Sequence, residues 1–259
     1  MTTRITVERD GHLLLIGFNR PEKRNAADFQ LLQELALAYG ELERDPELRA
    51  GLVFAHGDHF TGGLDLADVA PRIGVDGLAI VPAGGIDPWQ VSGAARTKPV
   101  VIAVQGTCLT LGIELILASD IAIAAAGTTF GQVEVARGIL PFGGATLRFP
   151  KAVGWGNAMR WMLTGDTFDA AEAHRIGLVQ EVVADGSHYD RGLELARRVA
   201  AQAPMAVQAT LANARQAITD QRGAAAALQP ELVRLAHSED ARIGMESFAT
   251  RTPARFLGR

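Results

Sequence analysis

Residues 98–134 read KPVVIAVQGTCLTLGIELILASDIAIAAAGTTFGQVE, and no other stretch limits the possible folds so strongly. Residues 100–104 and 121–125 are short, apolar, β-type runs. Between them, 110–119 fits a helix that is apolar on nearly every side, which requires burial all round. Strands without polar alternation, separated by a buried helix, belong to a mostly parallel sheet covered on both faces. Between Pro99 and Ala118 the one carboxylate is Glu114, and Glu134 follows after FGQV. An isolated ionised carboxylate is costly in an apolar interior, so burial is expected to raise its pKa unless it is hydrogen-bonded. Both glutamates read as chemistry. The plain alternatives are a helix-edge Glu114 bonded to nearby backbone, and a Glu134 paired with Arg137 three residues on.

The same alternation of strands and helices runs through the first part of the chain. Strands are predicted over 5–9 and 13–18, joined at Asp10-Gly11, a two-residue hairpin signal. Helical spacing covers 29–42, with Asp28 as N-cap and Asp45-Pro46 as the stop. Residues 51–55 are a buried-type strand running into a Gly-rich loop, FTGGLD, at 60–65. Loops at strand ends are where α/β folds place ligands, although a simple turn explains the glycines as well. Residues 106–109 are expected to turn, and the following helix start offers unpaired N–H groups suited to negative charge. Residues 71–90 are expected to form a mobile loop, with a helix from about 88 to 97. After about residue 150 the pattern becomes helical, over 153–163, 170–176, 189–201, 205–219, 224–236 and 239–250. One strand, 178–183, interrupts it, and Ser238 caps the last helix.

Composition excludes several functions. The charged fraction is 21%, the apolar fraction 48% and the net charge −4, with no basic block for nucleic acid. No apolar run nears the roughly 20 residues that span a bilayer. The N-terminus is polar and reads as a strand rather than a signal peptide, so a cytoplasmic protein is expected. Dinucleotide (GxGxxG) and nucleophile-elbow (GxSxG) patterns are absent. His56 and His59 stand three apart without further ligands nearby, and the single Cys108 reads as a small core residue.

Five segments in order resemble the crotonase superfamily, the enoyl-CoA hydratases and isomerases. They are NRPEKRNA at 19–26, HFTGGLDLADV at 59–69, residues 98–124, FGQVEVARGILPFGGAT at 130–146, and LTGDTFDAAEAHRIGLVQEVV at 163–183. The resemblance implies an α/β fold, a crotonase-like spiral of ββα units with a helical C-terminal trimerisation region. We take residues 1–195 as the spiral core and 196–259 as the helical region. It further implies an acyl-CoA thioester substrate, no cofactor beyond the coenzyme A of that substrate, and a homotrimer or dimer of trimers. Carried over by position, the oxyanion-hole N–H groups fall on Leu64 and Leu111, and the acid/base pair on Glu114 and Glu134. Substrate-binding positions fall on Lys23, Arg24, Ala26, Gly62, Gly63, Asp65 and Leu66. Phe248 and Arg251 match the C-terminal helix that reaches a neighbour's CoA.

Both glutamates favour an enoyl-CoA hydratase; many isomerases of the family keep only the one matching Glu134. A Δ3-Δ2 enoyl-CoA isomerase, another crotonase reaction and a non-catalytic acyl-CoA-binding protein are the alternatives. Departures from the pattern concentrate at the hole. Thr110 and Leu111 stand where many relatives have Gly, and Leu64 where Ala is common. Val133 replaces a frequent Pro, and Arg251 a common Lys.

Overall fold

The computed structural model describes residues 3–73 and 77–259. Its strands are β1 (Ile5–Asp10), β2 (Leu13–Phe18), β3 (Ala50–Ala55), β4 (Val100–Val104), β5 (Thr107–Leu109), β6 (Ile121–Ala125), β7 (Thr129–Gly131), β8 (Thr167–Asp169) and β9 (Glu181–Val183). The helices of the first half are α1 (Phe29–Arg44), α2 (Leu66–Val69), α3 (Leu111–Ala118) and α4 (Ala145–Val153). Those that follow are α5 (Trp155–Thr164), α6 (Ala170–Arg175), α7 (His188–Ala200), α8 (Pro204–Ala217), α9 (Gln221–Ala236) and α10 (Glu239–Thr250). Among the described residues, no helix is long and apolar enough to cross a membrane.

Six strands form one sheet in the order β1-β2-β3-β4-β6-β9. Only the β1–β2 hairpin is antiparallel; the remaining pairs run parallel. The apolar runs have no polar alternation because each face of this sheet is covered. Leu14, Ile16, Val53, Ile102 and Ala124 enter one core with α1 and α3, while Leu13, Leu15, Leu52, Val101 and Ile123 enter a second core beneath α7. Strand residues alternate faces, so each apolar run serves both cores. A smaller sheet, β5-β7-β8, lies beyond the C-terminal ends of β4 and β6. The chain passes from β4 to β5 and into α3, then from β6 to β7 and toward α4. This is the repeating ββα spiral. Gly106 makes the β4–β5 corner with φ 57°, where a Cβ would sit 2.0 Å from the Asp58 carbonyl oxygen.

Several local expectations match the structure: the N-caps at Asp28 and Ser238 each accept a backbone N–H, from Leu31 and Ala241. Others do not. Residues 107–109 are a strand rather than a turn, and β7, β8 and α4 have no counterpart in the sequence reading. A three-residue strand is too short to show a period, and α4 carries Pro150 in its interior. The helix expected over 88–97 does not form. The Asp87 carboxylate takes the N–H groups of Trp89, Val91 and Ser92, an Asx-type turn that competes with helical bonding. Of the loop expected over 71–90, residues 74–76 lie outside the described residues.

The helical C-terminal part is tied to the sheet by a partly buried charge cluster. Arg96, 2% exposed, donates to the carbonyls of Lys98 and Ala118 and to Asp120 at 2.7 Å. Arg215 on α8 reaches the other oxygen of Asp120 at 3.0 Å and the Arg96 carbonyl at 2.6 Å. Removing one member leaves buried charge and carbonyls unpaired. Arg96→Ala is therefore expected to lower unfolding stability by about 3 kcal/mol, measured by urea denaturation.

Candidate active site

The loops at the C-terminal ends of the parallel strands enclose a cavity of about 430 Å³. Glu114 and Glu134 both line it. Glu114 sits in the first turn of α3 and is 2% exposed. Its Oε1 accepts the Ala145 N–H at 3.1 Å, and the N–H groups of Gly143 and Gly144 also favour its charged form. A Cβ on Gly143 would lie 2.5 Å from Glu114 Oε2, so only glycine allows this approach. Burial outweighs these donors and the nearby Arg148, and pushes the carboxyl up to about 7.

Glu134 opens a 3-10 turn, Glu134–Arg137. Its Oε1 accepts from Gln132 Nε2 at 2.9 Å, while the buried Oε2 has no partner among the described residues. Burial, and to a lesser degree the charge of Glu114, raises this carboxyl to about 7 as well. Two carboxylates poised near neutrality in one cavity can hold and release protons next to a small bound group.

Two backbone N–H groups without partners among the described residues belong to residues that line the same cavity. Leu64 makes a parallel bridge to Ala27, in which Ala27 donates to the Gly63 carbonyl and Asp65 donates to Ala27. The intervening N–H of Leu64 therefore points away from Ala27, and it has no partner among the described residues. Leu111 is the first residue of α3, where no preceding turn exists to take its N–H. Thr110 before it adopts φ 49°, ψ −110°, an uncommon conformation for a β-branched residue. Both leucines line the cavity with the glutamates. Their N–H groups, not their side chains, are what an oxyanion needs.

The 60–65 loop is held from below. Thr61 Oγ1 donates to the Asn25 carbonyl at 2.8 Å and accepts the Gly63 N–H at 3.1 Å. The buried Asn25 side chain donates to the carbonyls of His56 and His59, at 2.9 and 2.7 Å. The Asn-Arg-Pro loop is thus a fastening for the donor loop.

The model of the enoyl-CoA hydratase/isomerase family matches residues 8–259. The chain belongs to that family. The crystal structure of a probable enoyl-CoA hydratase/isomerase from Mycobacterium abscessus superposes with a TM-score of 0.95 at 55% identity, covering 99% of both chains. An enoyl-CoA hydratase of Mycobacterium tuberculosis is 30% identical over 98% of this chain and 96% of its own. The 2,3-dehydroadipyl-CoA hydratase of Escherichia coli is 30% identical over 98% of this chain and 99% of its own.

The other positions suggested by the crotonase resemblance divide into four groups. Gly62, Gly63 and Leu66 line the cavity. Lys23 and Arg24 are exposed beside it, with the Gly62 N–H on the Arg24 carbonyl at 2.8 Å. Ala26 and Asp65 instead engage Arg20, whose Nη1 donates to both at 2.8 Å. Phe248 and Arg251 do not line this chain's cavity, and Phe248 is 88% exposed on α10. His56 and His59 have local partners, Thr6 Oγ1 and the Thr107 N–H. Burial pushes the Cys108 thiol far up, as suits a core residue. Arg137, the suggested partner of Glu134, lines the cavity but forms no ion pair with that carboxylate; the sequence reading missed Asp87, Trp89 and Gln132. The one available signal was Asp-Pro-Trp in a segment otherwise rich in Gly and Ala.

The two raised carboxyls make stability depend on pH. The folded state holds their protons up to about 7, whereas the unfolded chain releases them near 4.5. Stability contributed by the protonated forms is full below the lower value and is lost as pH rises through the upper one. Glu114→Gln and Glu134→Gln are expected to melt above wild type at about pH 8 and to converge with it toward about pH 4.5. Thermal melts across that range, with a lower-melting variant at alkaline pH, would contradict this.

Proposed function

We propose that this chain is an enoyl-CoA hydratase. The observation that carries the reading is the convergence of Glu114, Glu134 and the two unpaired N–H groups of Leu64 and Leu111 on one cavity. When water adds to a 2-enoyl thioester, its oxygen bonds to the β-carbon and negative charge develops on the thioester oxygen. The Leu64 and Leu111 N–H groups receive that oxygen; such donors are worth about 3 kcal/mol each. One glutamate accepts the proton of the attacking water, and the other delivers a proton to the α-carbon. With both carboxyls near 7, one protonated and one ionised group coexist at neutral pH, as this addition needs.

The acyl group packs against Leu66, Leu78, Ile80 and Phe142, which supply an apolar wall. The CoA moiety runs past Lys23 and Arg24, whose charges suit its phosphates. Coenzyme A enters as part of the substrate, and no other cofactor is required. Residues 1–195 form the catalytic spiral, and 196–259 the region through which the chain trimerises. In that assembly Phe248 and Arg251 serve the CoA site of a neighbour. Exposed Leu228, Leu232, Val233 and Met245 on α9 and α10 support an apolar contact there.

Hydration of crotonyl-CoA and longer 2-enoyl thioesters, followed by loss of enoyl absorbance, tests the activity. Glu114→Gln and Glu134→Gln are each expected to lower kcat by about 10²–10⁴. Wild-type inactivity toward every chain length sinks the reading. Preference for a 3-enoyl thioester, with only Glu134 essential, would replace it with an isomerase. Sedimentation is expected to give a mass of three chains of 27.5 kDa, or twice that; a monomer contradicts the assembly.

A further inference from the structure

The N–H of Leu111 points where the preceding peptide directs it, and that direction is set by ψ of Thr110. At φ 49°, ψ −110° a β-branched residue is strained by about 1–3 kcal/mol, and such geometry persists only where its surroundings impose it. Three contacts bear on this corner. The Thr110 N–H is bonded to the Gly131 carbonyl at 2.8 Å, and the Thr110 carbonyl accepts the Glu114 N–H at 3.1 Å. The third comes from outside the spiral unit: Trp89 Nε1 donates to the Leu111 carbonyl at 3.0 Å.

Trp89 is itself fixed. It is 3% exposed, and its backbone N–H is held by Asp87 Oδ1 at 2.9 Å. Asp87 Oδ2 takes the N–H groups of Val91 and Ser92 at 2.9 Å and the Ser92 hydroxyl at 3.2 Å. The far end of this turn is clamped by Arg148, whose Nη2 donates to the Gln90 carbonyl at 2.7 Å. The indole edge also abuts the turn that holds Glu114: a Cβ on Gly143 would lie 3.1 Å from Trp89 Cδ1. One side chain thus joins the carbonyl of Leu111, the residue that carries the donor N–H, to the carboxylate cradle.

We infer that Trp89 is a positioning residue for the hydration chemistry: its indole N–H holds the Leu111 carbonyl, on the peptide that follows the donor, and so fixes Leu111 at the start of α3 with its N–H facing the thioester oxygen. The inference rests on the hydratase reading. Asp87 acts through it by fixing the turn that presents the indole. A misaimed donor affects the charge-developing step more than substrate binding, because its bond strengthens only as the oxygen becomes an enolate.

The test replaces Trp89 in the full-length chain by phenylalanine, and separately by benzothienylalanine, which keeps the indole shape but has sulfur in place of N–H. Each variant is assayed for turnover of crotonyl-CoA. The carbonyl stretch of bound butyryl-CoA, labelled at the thioester carbon, is read by difference infrared spectroscopy. The expected result is a kcat about tenfold lower, KM within about twofold, and a carbonyl band moved from its bound wild-type position toward that of free thioester. The sulfur isostere should behave like Trp89→Phe. An isostere with wild-type kcat and a wild-type band overturns the inference and leaves Trp89 with packing alone. So does a variant that melts early while its carbonyl band stays in place. Butyryl-CoA cannot be hydrated, so a wild-type chain without turnover would sink the hydratase reading while the band still decides the role of Trp89.

Discussion

Holding Glu114 out of water is the constraint on which the rest of the site depends. A carboxylate in an apolar surround is destabilised by several kcal/mol unless donors meet it. Here they are the backbone N–H groups of residues 143–145 at the start of α4. The close approach requires glycine at 143, which explains a Gly-Gly pair before a helix. The donors keep the group satisfied without cancelling the effect of burial, so its affinity for protons rises. Glu134 reaches the same condition by another route. It has one side-chain donor, Gln132, and one buried oxygen left free.

The sheet accounts for where this can happen. Both faces of the parallel sheet are taken up by core, one under α7 and the other under α1 and α3. Polar groups can gather only at the strand ends, where β3 gives way to the 60–65 loop and β4 to β5 and α3. Bridges from Leu64 to Ala27 and from Thr61 to Cys108 continue the pairing past the sheet edge. In a parallel bridge the bonded groups belong to the residues on either side, which leaves the middle N–H free. The donor at Leu64 is a by-product of ordinary strand pairing. The donor at Leu111 is a by-product of a helix beginning. Little has to be added to this fold to leave two N–H groups unpaired beside the cavity.

Buried arginines do a related job around the rim. Arg20 joins the 19–26 loop to Asp28 and Asp65. Arg96 and Arg215 meet on Asp120 and bind α8 to the segment leading into β4. Each links elements far apart in sequence through a planar fork that serves several acceptors at once. The loop containing Asp87 and Trp89 is fastened at Gln90, whose side chain accepts the Arg96 backbone N–H and whose carbonyl accepts from Arg148 Nη2.

The sequence by itself determined the strand–helix order and most element boundaries, and it singled out two carboxylates and two donor positions as candidates. Apolar runs, Asp28 and Ser238 caps, and an isolated Glu in a buried helix are local signals, and local propensities decide them. Periodicity and composition alone pointed to the two glutamates; the five crotonase-like segments pointed to Leu64 and Leu111. Only the tertiary structure decided that the four share one cavity, because their segments are brought together by sheet order and not by spacing. It also decided that 88–97 is a turn. Helical propensity there is outweighed by one carboxylate collecting three N–H groups. The strain at Thr110 was likewise hidden, since φ and ψ of a single residue leave no trace in its identity. Trp89 could not be read as part of the site, for its partner lies 22 residues away. A contact of that kind exists only once the chain has closed on itself.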